Sequence, residues 1–400
     1  MSLISLYIHI PFCIHRCGYC DFNTFAGIQE LIPAYSQALC EELEIISASI
    51  KNPFQIHTIY FGGGTPSLIP VTAMAQILAT VYEHFPLIDS PEITLEANPG
   101  TISANYLAKV QRLGVNRISL GMQSANQHEL TLLERQHTYD DVIRAVQWIR
   151  NTGDANINLD LIFGLPEQTL SSWMTSLEAA LSLQPEHFSL YALTLESGTP
   201  LQHKVLSGLI PNPDPDLAAD MYEAAAKRLS TAGFVQYEIS NWAQRQNDCQ
   251  YLACIHNMQY WRNLPYLGVG AGAHGYIDHF RTVNVAAPKA YINRLQKNGC
   301  INSIEPDQFP STPATIQFAP IDLDTEIGET MMMGLRLVQE GVSASEFQQR
   351  FGINLIDRYG SQIDKLITLG LLEWYEGQTL RLRLTVKGRL LGNQVFREFI

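Results

Sequence analysis

The chain predicts an α/β fold, a partial (β/α)6 barrel followed by a smaller helical domain, and two observations carry that expectation. Short β-rich runs alternate with longer helical patterns through the first half of the sequence, the rhythm of a parallel sheet with crossover helices. Nearly every chemically suggestive residue also falls at the C-terminal end of a run. In a barrel those ends converge on one mouth, whereas in an open doubly wound sheet only strands near the switch point share a site.

Taken in order, "LYIHIPF" (6–12) reads as the first strand and 30–50 as a helix with apolar spacing of three and four. "IHTIYFG" (56–62) precedes a helix near 71–85, and "EITLEA" (92–97) one near 103–113. "NRISLGM" (116–122) leads to a helix at 139–152, "NINLDLIFG" (156–164) to one at 169–183, and "HFSLYALT" (187–194) is the sixth strand. The barrel is assigned to 1–232, and an irregular, aromatic-rich extension to 233–304. A proline-rich linker (305–320) precedes a C-terminal domain (321–400). There, helices near 325–338, 343–351 and 354–369 and a hairpin turned at Glu376-Gly377 suggest a winged helix.

A winged helix invites a DNA-binding reading, but this part carries nine Lys/Arg against eleven Asp/Glu. The whole chain, 400 residues with a net charge of -13, also lacks a nucleic-acid footprint. No apolar run reaches the ~18 residues of a membrane span, and "MSLISLYIHIPF" has no basic start like that of an export signal. Seven cysteines, odd in number and mostly scattered, fit a reducing, cytoplasmic setting.

Three of them are not scattered. "CIHRCGYCDF" places Cys13, Cys17 and Cys20 within eight residues. A cubane iron–sulfur cluster held by three thiolates keeps one iron open, the position a catalytic metal needs for substrate. On the residues alone, a zinc site completed by His15 or Cys40, or three incidental thiols, stands as the alternative. "GGGTPS" (62–67) closes the second strand with glycines whose free backbone groups suit a polar amino-acid head. "GAGAHG" (270–275) matches a dinucleotide fingerprint literally, but no helix or correctly placed acid follows. Close backbone approach to a cofactor is the better reading of it.

C-x3-C-x2-C after a first strand resembles the radical S-adenosylmethionine superfamily. The resemblance implies a [4Fe–4S] cluster at Cys13, Cys17 and Cys20. It also implies S-adenosylmethionine (SAM) bound by Tyr7, Tyr19, Gly63, Gly64, Thr65, Glu96, Gln123, Arg135 and Asp160. Of these, Arg135 suits the methionine carboxylate, and Glu96 and Asp160 suit the amino group or the ribose hydroxyls. "YIHIPFC", "NLDLIFGLP" and the C-terminal domain extend the likeness to the oxygen-independent coproporphyrinogen III oxidase branch. That oxidase has a fourth cysteine two residues after the third, where this chain has Phe22, and an extension ahead of the loop. "HNMQYW" (256–261) instead resembles the H-N-x-x-Y-W signature of the HemW family of haem chaperones. This implies haem at His256, Asn257, Tyr260 and Trp261. Cys249 and Cys254 stand close by as alternative ligands, but their spacing carries no signature and ordinary packing is their expected role. Gly18 departs from the proline common at that loop position. The expectation is therefore a haem carrier, possible as a homodimer, that delivers to a haem-accepting, membrane-bound protein. Coproporphyrinogen oxidation and a radical SAM methyltransferase are the alternatives.

Overall fold

The computed structural model describes residues 2–247, 250–296 and 309–400. Cys249 and the start of the proline-rich stretch lie outside the described residues. Two compact units result: Met1–Ala225 with Pro265–Pro320, and Ala226–Leu264 with Ile321–Ile400.

In the first unit six parallel strands pair in chain order: β1 (Ser2–Ile10), β2 (Phe54–Gly63), β3 (Leu87–Ala97), β4 (Arg117–Gln123), β5 (Asn156–Phe163) and β6 (His187–Ala192). The intervening helices are α1 (Ile32–Ala48), α2 (Val71–His84), α3 (Ala104–Arg112), α4 (Tyr139–Thr152) and α5 (Leu170–Ser182). Starts are set by local chemistry. Ser103 caps α3 through the Tyr106 amide, and capping boxes at Thr138/Asp141 and Thr169/Ser172 open α4 and α5.

Strand parity separates two faces. One carries Ile4, Leu6, Ile8, Ile10, Ile59, Phe61, Ile93, Leu95, Ile118, Leu120, Ile157, Leu159, Phe188 and Leu190, all buried. Helix residues such as Leu39, Leu43, Ile77, Leu107, Val110, Val142 and Leu177 are buried with them, the apolar layer expected beneath crossover helices. The other face is polar and hydrogen-bonded from strand to strand. Thr58 donates to Ser5 at 2.6 Å, Arg117 to Glu92 at 2.9 Å, and Asn158 to Ser119 and Ser189 at 2.7 and 2.9 Å. Buried polar groups persist because they are paired.

The region read as irregular is strand-rich. A strand β7 (Tyr266–Val269) pairs in parallel with the far edge of β1, Ser5 opposite Tyr266 and Ile8 opposite Val269. β8 (His274–Ile277), β9 (Phe280–Asn284) and β10 (Thr315–Pro320) follow antiparallel. Runs of four to six residues broken by glycine show too little alternation to be recognised in advance. The GAGAHG turn after β7 is a close-packed loop. Gly270 has φ 103°, and a Cβ there would sit 2.6 Å from the His9 carbonyl oxygen. Its amide donates to buried Glu42 on α1 at 2.8 Å, and the same carboxylate accepts from Asn284, Tyr291 and Thr312.

The second unit holds strands Phe234–Glu238 and Asn241–Gln244, the helix Ile255–Trp261, and helices Leu323–Gly334, Ala344–Phe351 and Leu355–Thr368. A hairpin of Leu372–Glu376 and Leu380–Leu384 completes the winged-helix pattern. Its core gathers Ile327, Met331, Phe347, Ile363, Leu382 and Phe396. No helix among the described residues is long and apolar enough to cross a membrane.

Candidate functional site

The cysteine loop leaves β1 at its C-terminal end. Phe12–Cys13 pairs with Phe25–Ala26 to close the loop on itself, and the Cys20 amide donates to the Cys17 carbonyl at 3.1 Å. Cys13 is buried, which pushes its thiol pKa up, while Cys17 and Cys20 are half-buried. Each sulfur lies near a polar side chain: Thr65 Oγ1 3.7 Å from Cys13, Arg135 Nη1 3.4 Å from Cys17, and Thr24 Oγ1 3.8 Å from Cys20. Among the described residues no three His, Cys, Asp or Glu side chains converge as they would on a single metal ion. A cubane asks for something else, one thiolate per iron spread over its corners.

The glycine run at the end of β2 lies flat against this loop. Gly64 and Thr65 amides donate to the Ile10 and Phe12 carbonyls, both at 2.8 Å. A Cβ at Gly64 would stand 2.7 Å from the Phe12 carbonyl oxygen, and one at Gly63, where φ is 115°, would stand 2.5 Å from the His9 ring. Glycine is required there by close approach. The His9 ring donates from Nε2 to the Asn23 carbonyl at 2.9 Å. Its Nδ1 is then the acceptor for the Tyr7 hydroxyl at 3.0 Å.

Glu96, at the end of β3, accepts from the Tyr60 hydroxyl at 2.8 Å and the Gly63 amide at 3.1 Å. Burial, with Asp160 nearby, nonetheless pushes its carboxyl up to about 7. Asp160, on β5, accepts from Ser119 at 2.9 Å and Asn158 at 2.7 Å, and burial raises it too. Arg135 donates to the Gly121 carbonyl at 3.0 Å as well as reaching Cys17, while its buried Nε has no partner among the described residues. Gln123 takes φ 65° at the end of β4. Gly121 makes room for both, since a Cβ would lie 2.8 Å from Gln123 Nε2 and 3.1 Å from Arg135 Nη2. Tyr19 packs against Leu133, Ile162 and Leu165, and burial raises its phenol as it does that of Tyr7.

Of these two half-buried carboxylates only Asp160 has the Arg135 guanidinium as a nearby counter-charge, while Glu96 faces the like charge of Asp160, so the site is short of positive charge. An amino acid bearing an ammonium and a sulfonium supplies it, and its carboxylate suits the unpartnered Arg135 Nε. On this observation the residues fit SAM. The barrel residues named from sequence come together at these strand ends. Sequence reasoning missed Tyr60, Ser119 and Asn158. Parity is the signal for them: Tyr60 aligns with Tyr7, Ser119 with Glu96, and Asn158 with Ser119 across the sheet.

The residues expected from sequence to hold haem lie in the other unit. His256 is buried, its Nε2 2.9 Å from the Tyr260 hydroxyl with the rings edge to face at 4.9 Å. Trp261 stacks under the Arg336 guanidinium at 4.3 Å, and its buried Nε1 finds no partner among the described residues. Asn257 is half-buried. Cys254 is buried at the N-cap of the helix, and Cys249 lies outside the described residues.

Comparison with known proteins gives the family. Residues 7–180 match the radical SAM superfamily and 321–391 the HemN C-terminal domain. The haem chaperone HemW of Bacillus subtilis is 36% identical over 397 residues, covering 99% of both chains. That of Mycobacterium tuberculosis is 35% identical over 399 residues, 99% of this chain and 94% of its own. The solved structure of Escherichia coli coproporphyrinogen III oxidase, HemN, superposes with a TM-score of 0.82 at 22% identity, covering 100% of this chain and 90% of that one. Superfamily membership implies a [4Fe–4S] cluster and SAM. Likeness along the full length of both chains, on top of the cysteine loop and strand-end residues described, means that this chain belongs to the HemW haem chaperone family of radical SAM proteins.

Proposed function

We propose that this protein binds haem through the helix Ile255–Trp261 and hands it to an acceptor protein, on a scaffold carrying the cluster at Cys13, Cys17 and Cys20. The observation that carries the reading is the end-to-end likeness to proteins named haem chaperones, joined to the H-N-x-x-Y-W segment within it. The acceptor is proposed to be a membrane-bound haem protein, the setting cytoplasmic and the working form a homodimer. When bound, the cluster and SAM supply one-electron cleavage of a sulfonium bond.

The chain's own residues have defined parts. Glu96 and Asp160 hold the amino and ribose groups, Arg135 the carboxylate, and the glycine run lets the backbone approach. His256 offers imidazole nitrogen to haem iron once its Nε2 leaves the Tyr260 hydroxyl, and Tyr260 and Trp261 offer flat surfaces to the porphyrin. Phe22, 63% exposed, stands where the oxidase has its extra cysteine, which favours carriage over coproporphyrinogen oxidation.

The test is haem retention by anaerobically reconstituted protein, wild type beside His256→Ala, read from the Soret band after gel filtration. Haem held by the wild type and lost by the variant supports both the function and its anchor. Haem held equally by both removes His256 as the anchor. Absence of haem from the wild type refutes carriage.

A further inference from the structure

Gly18, in the middle of the cysteine loop, has no left-handed φ that would call for glycine. What it lacks is space. A Cβ there would stand 2.9 Å from the Glu134 side-chain carbon and 3.0 and 3.2 Å from its two carboxylate oxygens. Glu134 itself sits at φ 58°, a conformation that side chains rarely adopt, immediately before Arg135. Its carboxylate is anchored from two further sides: Lys204 Nζ lies 2.8 Å from Oε1 and His15 Nε2 3.5 Å from Oε2. The helix Pro200–Leu206, which carries Lys204, also donates the Leu201 amide to the Gly18 carbonyl at 2.8 Å.

All three ionic partners are partly exposed, so the attraction of these pairs is screened and modest. Placement is what the arrangement provides. One carboxylate fills the room a side chain at 18 would take, and the same helix grips both it and the loop backbone. The loop segment so held lies between Cys17 and Cys20.

We propose that Glu134 is a positioning residue for the cysteine loop, a strut whose carboxylate, seated on Gly18 and tied to Lys204, sets where Cys17 and Cys20 present their sulfurs. Glycine at 18 and glutamate at 134 depend on each other. A side chain at 18 must displace either the loop or the Glu134 carboxylate, and the Lys204 and His15 contacts oppose the second.

The inference rests on the reading that the three cysteines hold the cluster, and its test separates the two. Wild type, Gly18→Ala, Glu134→Gly and the double variant would be reconstituted anaerobically. Iron and sulfide per chain, the electron paramagnetic resonance spectrum of the reduced cluster, and the rate of iron loss to a chelator would be measured. Thermal unfolding of the apo forms checks that each variant folds. Glu134→Gly is expected to lose iron ~10-fold faster than wild type, the scale of outer-shell support for metal ligands. Gly18→Ala is expected to load poorly with an altered spectrum, and the double variant to load better than Gly18→Ala alone, the signature of coupled neighbours. Full loading of Gly18→Ala, no improvement in the double variant, or wild-type iron loss by Glu134→Gly each overturns the strut. A wild type that binds no iron overturns the cluster reading with it.

Discussion

Replacing Glu96 with glutamine should make the apo barrel more stable at pH 8 and leave it nearly unchanged at pH 5. Burial lifts this carboxyl from an ordinary value near 4.5 to about 7. Between those values the folded chain holds a proton that the unfolded chain has released, so stability falls as pH rises through the window. At ~1.4 kcal/mol per unit, ionising Glu96 costs the apo protein about 3 kcal/mol by pH 8. Glutamine is shaped like the protonated acid. It keeps an acceptor for one of Tyr60 and Gly63 and is never charged, so it escapes that cost. His137 works in the opposite sense over part of the same range. Burial and Arg135 hold it down to about 4, so its contribution is lost as pH falls from 6.5. The quantity to follow is therefore variant minus wild type. Urea unfolding read by hydrogen exchange in β3 peptides isolates the barrel from the second unit. An advantage of Glu96→Gln that is equal at pH 5 and pH 8 would refute the argument. Saturating SAM should erase the pH 8 advantage, because the ligand ammonium supplies the charge the wild-type carboxylate lacks.

Three further outcomes are expected. Gly64→Ala forces a Cβ to within 2.7 Å of the Phe12 carbonyl oxygen; thermal unfolding should show a loss of about 2 kcal/mol, and equilibrium dialysis weaker SAM binding. Arg350→Met removes the ion pair that Arg350 makes with the buried Glu326 carboxylate at 2.7 Å. The second unit should lose about 3 kcal/mol by denaturant unfolding, most of it regained in Arg350→Met/Glu326→Gln. Arg135→Lys leaves a single point charge where two guanidinium nitrogens reach Cys17 and Gly121. Isothermal titration should show SAM binding weakened ~10-fold or more.

What was legible beforehand follows from the range over which each signal acts. Cys13, Cys17 and Cys20 are close in sequence, and Glu96, Gln123 and Asp160 end β-rich runs, so the mouth of the barrel was visible without coordinates. Helix spans held to within a few residues because capping and amphipathic spacing are local: 139–152 was read for α4, which is Tyr139–Thr152. Longer-range facts were hidden. Tyr60, Ser119 and Asn158 needed the inward face to be identified, which only cross-strand register supplies. Glu134 against Gly18 is a contact across more than a hundred residues between two unremarkable positions. The four-residue β7 has no alternation to read. Nor does any local pattern say that the helix Ile255–Trp261 belongs with the C-terminal residues, where Tyr237, Met258 and Leu337 share a small core.

The pairing of β1 with β7 has a consequence for the chain as it leaves the ribosome. β1 finishes at Ile10, but its far-edge partner begins at Tyr266. At ~5–20 residues per second, some 10–50 s separate the two during synthesis. Through that interval one side of the first strand shows open amide and carbonyl groups, beside three unligated thiols. An unpaired edge of this kind is an invitation to join another nascent chain. Truncations that stop before β7 should accordingly aggregate, and iron loading should be efficient only after the strand has arrived.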